Sequence, residues 1–373
     1  MTAPIPEDDF SRSVYCVLGV PVDEITMPRL VARIHHAASK REPLFLSTPN
    51  LNYLMLSQRD ADFRQSLLES DLCPADGVGV LLICRLLGIP ITSRVAGSDL
   101  PAALRTIQTS AGRGLRLALL GGAPGVGERA REALNSGNTD RLVCVAAIDP
   151  GVMTAAKMDD SAMLDQINAT GADFLLVALG AQKGQAWLMG NRQKLTVPVV
   201  SHLGATLNFL AGTIRRAPAG LRRFGLEWLW RIGQEPYLAA RYLLDGMRLL
   251  GLLLSRVVPL GLWLRWNERG GSTQGLSAWL DTGQAGHIKV VIAGAAREDQ
   301  LGPVATAFRH AAQTGHGITL DVHGLQFFGM GFAGQVLMLE KATTERDLLL
   351  TIAGASPAIA RALAWCGLKH LVR

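Results

Sequence analysis

The sequence predicts an α/β fold built on a mostly parallel sheet, and three observations support that prediction. Short apolar runs alternate with amphipathic stretches from about residue 13 to 200, as in sheets that carry helices on both faces. Apolar residues make up 49% of the 373 residues and charged residues 18%, which excludes extensive disorder. Glycines number 40, enough for many tight turns between strands and helices. Ligands of such sheets bind at the carboxyl ends of the strands.

Five apolar runs that end in small or polar residues predict the strands of this sheet. They are PLFLSTP (43–49), LRLALLGG (115–122), RLVCVAAID (141–149), DFLLVALG (173–180) and VPVVSHLG (197–204). Helical spacing is found between them in ADFRQSLLES (61–70), GVGERAREAL (125–134) and SAMLDQINAT (161–170). We therefore expect a first domain at 14–212.

An arginine-rich segment follows this domain. Thr213–Arg269 contains ten arginines, four acidic residues and no lysine, so it carries the whole net charge of +6. Its longest uncharged runs, 249–255 and 257–264, are short, so no bilayer-spanning helix is expected. Two interpretations of 213–266 stay open: a helix in the membrane interface whose arginines reach phosphate headgroups, or a helical hairpin packed on the sheet. Four tryptophans favour the interface: Trp228, Trp230, Trp263 and Trp266.

The rest of the chain predicts a linker and a second α/β domain. NERGGSTQG (267–275) is polar and glycine-rich. Strand and helix patterns then alternate over 276–373, which is the size of a complete small domain. A flexible linker implies that this domain can be removed without loss of catalysis.

Cysteine usage and the N-terminus point to the cytoplasm. The five cysteines have no CxxC spacing and indicate reduced, buried thiols. The N-terminus is acidic and polar, so no secretory signal is expected.

Polar residues that follow strands are the strongest candidates for chemistry. Thr48 and Asn50 follow the first strand, and Asp76 follows another short apolar run, with Gly77 behind it. A carboxylate among small residues at such an edge suits a general base. Asp76 could equally cap the helix that is predicted to begin at Val78.

The glycines of LLGGAPGVGERA are a weaker signal. Gly122, Gly125 and Gly127 would let a phosphate approach a helix N-terminus, but they suit a plain tight turn as well. The phosphate-loop pattern GxxxxGK[ST] does not occur in the sequence. We expect no metal and no cofactor.

Seven motifs occur in a specific order along the first two thirds of the chain. They are TPNLNYL (48–54), ADGVGV (75–80), RVAGSDL (94–100), LLGGAPG (119–125), LGAQKGQAW (179–187), HLGATLNFLAGTIRRAP (202–218) and LRRFGLEWLWRIGQEP (221–236). Together they resemble the WecG/TagA/CpsF family of glycosyltransferases over about residues 14–250. The resemblance implies a Rossmann-like catalytic domain with a basic helical appendage. It also implies inverting transfer, without a metal, from a nucleotide-sugar donor to a polyprenyl-diphosphate-linked sugar at the inner face of the cytoplasmic membrane.

The resemblance assigns roles residue by residue. It makes Asp76 the base that deprotonates the acceptor hydroxyl, with Thr48 and Asn50 lining the same pocket. It implies substrate contacts for Gly97, Ser98, Asp99, Gly121, Gly122, Gln182, Lys183, Arg215, Arg216, Arg222, Arg223 and Arg231. Arginines suit a diphosphate because their planar fork binds it bidentately and stays charged. Glu227 and Glu235 are expected to pair with these arginines.

Two departures from the family pattern bear on the choice of donor. Where the family has GxPKQE, this chain has GAQKGQ (180–185), which keeps Lys183 but places Gly184 and Gln185 where the family has Gln and Glu. Asn208 stands where the family often has an acidic residue.

The C-terminal domain resembles a STAS domain, the fold of anti-sigma-factor antagonists. The resemblance lies in ITLDVHGLQFF (318–328) and SPAIARALAWCGLKHLV (356–372). The family's DSSG is replaced by Gly329-Met330-Gly331-Phe332, so we expect no phosphorylation switch. A module that docks another protein and a passive stabilising appendage are the alternatives.

The sequence as a whole predicts a glycosyltransferase of exopolysaccharide or cell-surface glycan synthesis, without a nucleic-acid partner. The alternative from another class is a STAS-type regulatory protein whose N-terminal half binds a nucleotide sugar without turnover.

Overall fold

The computed structural model divides the chain into two compact units. It describes residues 8–106, 114–136, 141–152, 154, 158–215, 217–218, 220–221, 226–269, 275–284 and 287–373. The first unit contains Ile25–Val78 and Ser93–Gly246. The second draws on residues 3–24, 79–92 and 247–373. The predicted boundaries place residues 14–24 and 79–92 in the first domain and 247–266 in the arginine-rich segment. Packing places all three segments in the second unit.

The first unit is built on a five-stranded sheet. From one edge to the other its strands are β3 (Leu44–Leu46), β7 (Val199–His202), β6 (Phe174–Ala178), β4 (Leu115–Gly121) and β5 (Leu142–Ile148), numbered along the chain. Every neighbouring pair is parallel. The five predicted strands are confirmed, and all their carboxyl ends lie at one edge of the sheet.

Helices cover both faces of this sheet. The helices of the first unit are α1 (Met27–Lys40), α2 (Leu51–Ser57), α3 (Ala61–Leu68), α5 (Leu100–Thr106), α6 (Val126–Asn135), α7 (Ser161–Ala169), α8 (Ala181–Asn191), α9 (Gly204–Leu210) and α10 (Glu227–Gln234). Leu44 and Leu46 join the core cluster that contains α1 and α6, whereas Phe45 joins the cluster of α7 and α8 around Trp187. This alternation along β3 is the two-residue period of a strand buried on both faces. The predicted Rossmann-like fold is confirmed.

The second unit contains a small mixed sheet. Its strands are β11 (Leu350–Ala353), β10 (Gly317–Phe328), β9 (His287–Ala296) and β8 (Ser277–Gln284), in that spatial order. β10 pairs parallel with β9 and β11, and β8 pairs antiparallel with β9. Its helices are α13 (Gly302–Gln313), α14 (Met330–Thr344) and α15 (Pro357–Cys366).

Two segments from earlier in the chain also belong to the second unit. The N-terminal hairpin of β1 (Val14–Val17) and β2 (Val20–Asp23) is one. Most of α4 (Val78–Leu87) is the other. All five cysteines of the chain are buried and none forms a disulfide, in agreement with the prediction of reduced thiols.

A long helical segment precedes the second sheet. It consists of α11 (Leu238–Leu252), a π-helical turn (Leu253–Val257) and α12 (Val258–Arg269). Ala239–Glu268 is long and apolar enough to cross a membrane by length and composition, which the expectation of no bilayer-spanning helix did not foresee. That expectation counted uncharged runs, whereas well-spaced arginines leave an 18-residue window with at most two charged residues.

The predicted linker begins inside α12. Residues 267–269 of the predicted 267–275 are helical, because α12 continues to Arg269. Residues 270–274 lie outside the described residues.

Candidate active site

Asp76 lies at the carboxyl edge of the first sheet. The segment after α3 runs beside β3, where Leu46 and Leu72 form a parallel bridge. The backbone N–H of Asp76 then donates to the carbonyl of Pro49 (2.9 Å). The Asp76 carboxylate accepts a hydrogen bond from the N–H of Gly97 (3.3 Å). Its hydrogen bond therefore comes from Gly97 and not from the first turn of α4, as the capping alternative would require.

Arg94 and Glu227 complete a short chain of charges at Asp76. Arg94 Nε lies 3.8 Å from Asp76 Oδ1, and Arg94 Nη2 lies 3.0 Å from Glu227 Oε2. The three side chains are about one-fifth exposed (22% for Asp76, 21% for Arg94, 19% for Glu227). An incoming substrate can therefore reach the carboxylate.

The surroundings of Asp76 make it an unusually basic carboxylate. Burial raises its pKa to about 6, and the charges of Glu227 and Asp99 act in the same direction. The positive charge of Arg94 and the Gly97 N–H oppose this rise. Asp76 is thus mostly ionised at neutral pH and binds a proton more readily than an ordinary aspartate, as a general base requires.

Thr48, Asn50 and Gly97 lie next to Asp76. A Cβ on Gly97 would be 3.2 Å from Thr48 Oγ1 and only 2.6 Å from Leu203 Cδ2, so the backbone at Gly97 approaches the ends of β3 and β7 closely. Asn50 caps α2, because its side-chain oxygen accepts from the Tyr53 N–H (3.1 Å). Ser98 and Asp99 follow in the short 3-10 turn Gly97–Asp99.

Gly121 and Gly122 hold the ends of β4 and β6 together. Their φ angles are +100° and +91°. A Cβ on Gly121 would lie 2.6 Å from the Ala178 carbonyl oxygen, and one on Gly122 would lie 2.6 Å from Leu207 Cδ2. The tight turn thus accounts for both glycines in the absence of a ligand.

The residues at the start of α8 point in different directions. Gln182 donates to the Asp60 carboxylate (2.8 Å), and Lys183 is exposed. Gly184 faces His202, and a Cβ there would lie 2.1 Å from His202 Cδ2. Gln185 is fully buried and donates to Ser47 Oγ (2.8 Å).

His202 explains the departure at Gly184. Its Nδ1 lies 2.6 Å from the Tyr53 hydroxyl oxygen, and burial lowers its pKa to about 4, so the ring is neutral. The ring occupies the space that any side chain at position 184 would need. The small residue at 184 and the large residue at 202 thus form a matched pair.

The appendage arginines are only partly described. The backbone of Arg215 is held by Gln234 and Trp230: its N–H donates to Gln234 Oε1 (2.9 Å) and its carbonyl accepts from Trp230 Nε1 (3.0 Å). Arg231 pairs with Glu235 (2.9 Å), as predicted for Glu235. Glu227 pairs instead with Arg94, outside the appendage. Arg216, Arg222 and Arg223 lie outside the described residues.

Three residues of this region were missed by the sequence analysis. Arg94 opens the RVAGSDL motif, but that motif drew attention to its Gly-Ser-Asp. His202 follows VPVVS in the predicted strand VPVVSHLG (197–204), and Tyr53 lies inside TPNLNYL, so position at strand ends could have found His202. Asn208 lies in α9, and its carbonyl accepts a hydrogen bond from the Thr213 N–H (3.1 Å), beyond the end of that helix. Within the described ranges, no group of three or more His, Cys, Asp or Glu side chains is placed to bind a metal ion.

The fold is that of a Rossmann-like α/β protein, a class in which ligands bind at the carboxyl ends of the strands. Comparison with known proteins narrows the class. Residues 15–260 match the Glycosyl transferase WecG/TagA/CpsF family, and the chain belongs to that family. Residues 280–373 match a domain described as Mlab, STAS domain, so the second resemblance is confirmed as well.

Two curated relatives of the chain carry the same enzyme name. A protein of Staphylococcus aureus is 25% identical over 218 residues, which cover 58% of this chain and 82% of that protein. A protein of Bacillus spizizenii is 26% identical over 197 residues, covering 52% and 72% respectively. Both are named N-acetylglucosaminyldiphosphoundecaprenol N-acetyl-beta-D-mannosaminyltransferase.

Proposed function

We propose that this protein is an inverting glycosyltransferase that moves a sugar from a nucleotide-diphosphate donor to a polyprenyl-diphosphate-linked sugar. The names of the relatives supply the class of acceptor. The observation that carries the proposal is the carboxylate of Asp76: it lies at the strand ends, is partly accessible, and has a pKa of about 6.

Asp76 acts as the general base in a single displacement. The acceptor hydroxyl oxygen forms a bond to the anomeric carbon of the donor while the bond from that carbon to the diphosphate breaks. The hydroxyl proton passes to the Asp76 carboxylate, and the nucleoside diphosphate leaves with its electron pair. Attack from the side opposite the leaving group inverts the anomeric configuration. Thr48 and Asn50 line the pocket in which the acceptor hydroxyl lies.

Cationic side chains offset the charge of the leaving diphosphate, and the proposal includes no metal. Arginine suits this task because its planar fork can bind two phosphate oxygens at once. Arg94 is added here to the set taken from the resemblance, because its guanidinium lies beside the base. The set also includes Lys183, Arg215, Arg216, Arg222, Arg223 and Arg231. Gly97, Ser98, Asp99, Gly121, Gly122 and Gln182 are proposed to contact or shape the donor site.

The long helix suits the membrane interface at the cytoplasmic face. Large apolar side chains recur every three or four residues from Met247 to Trp266 and stay exposed, by 57% or more in five of six cases. They are Met247, Leu250, Leu254, Val258, Leu262 and Trp266. The π-helical turn has i→i+5 hydrogen bonds and therefore more than 3.6 residues per turn, so positions four apart stay on one side across it.

The opposite side of this helix is buried in the second unit. Val257, Leu260 and Leu264 are at most 4% exposed. Trp263 packs on Phe327 and Phe328, with ring centroids 5.5 and 5.3 Å apart, so of the four tryptophans it is not a membrane anchor. A helix with one face buried in protein and the other apolar and exposed favours peripheral binding over crossing the bilayer.

A vesicle assay tests the peripheral interpretation. The pair of substitutions Leu254→Ser and Leu262→Ser should weaken sedimentation with vesicles that contain anionic lipid, and added salt should weaken it further. Leu349→Ser is the matched control, because Leu349 is also exposed (57%) but lies just before β11. Equal binding by the pair and by wild type would reject the interface helix.

The central experiment offers a panel of nucleotide sugars and a short-chain lipid-diphosphate sugar to the full-length protein. Wild type should form a glycosylated acceptor, and Asp76→Asn should not. If wild type bound a donor but formed no product with any of the acceptors tested, a regulatory protein that binds nucleotide sugar without turnover would be favoured.

A further inference from the structure

Helix α14 of the second unit is buried along almost its whole length. Met330–Lys341 are all buried, and they include the polar side chains Gln335, Glu340 and Lys341. A helix that lies on one face of a four-stranded sheet normally leaves its outer side in water. Here that side is covered by residues 8–23 of the same chain, as the contacts below establish.

A glycine in the middle of α14 admits the backbone of this segment. A Cβ on Gly334 would lie 2.1 Å from the carbonyl oxygen of Val14 and 3.0 Å from Tyr15 Cα, and the three nearest atoms all belong to these two residues. Glycine destabilises the interior of a helix relative to alanine. Its presence at 334 is therefore explained by the close approach of the N-terminal segment.

Ion pairs within the segment, and from the segment to α13 and α14, hold it in place. Arg12 donates to both carboxylate oxygens of Asp23 (3.1 and 2.8 Å), and the two side chains are 4% and 5% exposed. Asp9 bridges Arg12 (2.5 Å) and Lys341 of α14 (2.9 Å). Asp8 pairs with Arg309 of α13 (3.1 Å). Every charge in this cluster has an opposite charge within contact distance.

Apolar and sulfur contacts extend the same interface. The Phe10 ring meets Phe308 of α13 edge to face, with centroids 6.4 Å apart. Val17 and Val20 are fully buried. At the far end of the hairpin the Cys16 thiol donates to the carbonyl of Cys366, at the end of α15 (3.4 Å).

We propose that residues 8–24 are the docking partner of the STAS domain, so that the surface formed by α13, α14 and α15 is occupied by this chain's own N-terminal segment. The STAS domain then binds and orders residues 8–24, which lead into the first unit at Ile25. Residues 276–373 alone lack one layer of the packed structure. Removal of these residues would expose a hairpin that is otherwise buried, which replaces the expectation that the domain is dispensable.

A pair of glycine substitutions in the full-length protein tests the proposal. Gly334→Ala places a methyl group against the Val14 carbonyl, so it should lower the midpoint of thermal unfolding by several degrees despite its better helix propensity. Gly190→Ala is the control: Gly190 lies inside α8 with no atom within 4 Å of the added Cβ. It should leave the midpoint unchanged or raise it. A Gly334→Ala variant at least as stable as Gly190→Ala would overturn the proposal.

Cleavage after folding tests whether the segment remains bound. A protease site inserted between Glu24 and Ile25, in the irregular stretch before α1, allows the intact folded protein to be cut there. Residues 1–24 should then co-elute with the remainder in gel filtration without denaturant, and Cys16 should stay unreactive towards a maleimide. Release of the peptide under native conditions would reject the docking. If, before cleavage, residues 1–24 of one copy were found bound to a differently tagged second copy, occupancy within one chain would be rejected.

Discussion

Two groups of charged residues in this protein both combine an arginine with two carboxylates but differ in how completely the charges are paired. In the second unit, Arg12 is bound bidentately by Asp23 and also by Asp9, and the Arg12–Asp23 pair is almost fully buried. In the first unit, Asp76 lies 3.8 Å from Arg94, whose closer partner is Glu227 at 3.0 Å. In the first group the opposite charges are paired with one another, whereas in the second the carboxylate of Asp76 is incompletely neutralised.

The pKa values of Asp9 and Asp76 move in opposite directions for this reason. Burial alone would raise the pKa of Asp9, but the charges of Arg12 and Lys341 outweigh it and hold the pKa below its ordinary value. At Asp76 burial prevails and the pKa rises to about 6. A fully paired buried cluster stabilises one structure, whereas a poorly compensated carboxylate at a strand end is suited to proton transfer. The following substitutions test that contrast.

Asp76→Asn should have the largest effect. It keeps the acceptor for the Gly97 N–H but cannot take a proton, and loss of a general base typically costs about 10²–10⁴ in rate. Steady-state kinetics with saturating donor should show this fall in kcat, with donor affinity little changed. A kcat near that of wild type would remove Asp76 from the mechanism.

The same variant should be more stable than wild type at neutral pH. Because the folded-state pKa of Asp76 lies above its unfolded value, its contribution to stability is present below about pH 4 and is lost as pH rises to about 6. At pH 7 the ionised carboxylate of Asp76 therefore lowers the free energy of unfolding by about 1–3 kcal/mol. Asparagine at this position avoids that loss. Urea unfolding at pH 7 measures the gain, and the gain should disappear at pH 4.

Arg12→Ala should have the opposite effect on stability. It leaves the carboxylates of Asp9 and Asp23 with one cation fewer in a buried position, and breaking such a pair costs about 3–5 kcal/mol. Arg131→Ala is the matched control, because the Arg131–Glu128 pair is exposed on α6. Urea unfolding should show a large loss for the first variant and no measurable change for the second. Equal losses would mean that burial does not decide the value of these pairs.

Gly184→Ala examines the packing around His202, a buried polar residue that is neither charged nor fully hydrogen-bonded. The new Cβ would collide with the His202 ring, and overpacking of this kind costs about 1–3 kcal/mol. His202→Ala in the same chain should restore stability by vacating the space, so the double variant should be more stable than Gly184→Ala alone. Additive losses in this thermal-unfolding cycle would show that the two positions are not matched.

The parts of this structure that were predictable from sequence are those set by local pattern. Apolar runs that end in polar residues placed β3, β4, β5, β6 and β7 and put Thr48 and Asp76 at strand ends, because strand burial and strand termination are local properties. The same reasoning left the role of Asp76 divided between base and helix cap. Only the hydrogen bond from Gly97 separates the two geometries.

Contacts between distant parts of the chain were not predictable in this way. Arg94 and Glu227 meet only in the fold, and no period or composition links them. The N-terminal hairpin gave no sign that it packs on α14, more than 300 residues later, because glycine at 334 has many explanations until its neighbour is known. The matched pair of Gly184 and His202 is of the same kind: Gly184 departs from the family pattern, and only its contact with the His202 ring accounts for the small residue there.

The smallest expected effect concerns the two neighbours of Asp76, and its sign is the sharpest test of the contrast. The positive charge of Arg94 lowers the pKa of Asp76, and the negative charge of Glu227 raises it. Below the pKa the base is protonated, so kcat/KM for the acceptor should fall about tenfold per pH unit below a midpoint near 6. Arg94→Gln should move this midpoint upward, whereas Glu227→Gln should move it downward, both because its own charge is lost and because Arg94 is left with Asp76 as its nearer acidic partner. Arg131→Gln removes a distant exposed charge and should leave the midpoint in place.

The shifts are expected to be under about one pH unit, because all three side chains are partly in contact with water. Shifts of the same sign in both variants would show that the pH profile does not report Asp76, and the site would then have to use a different base.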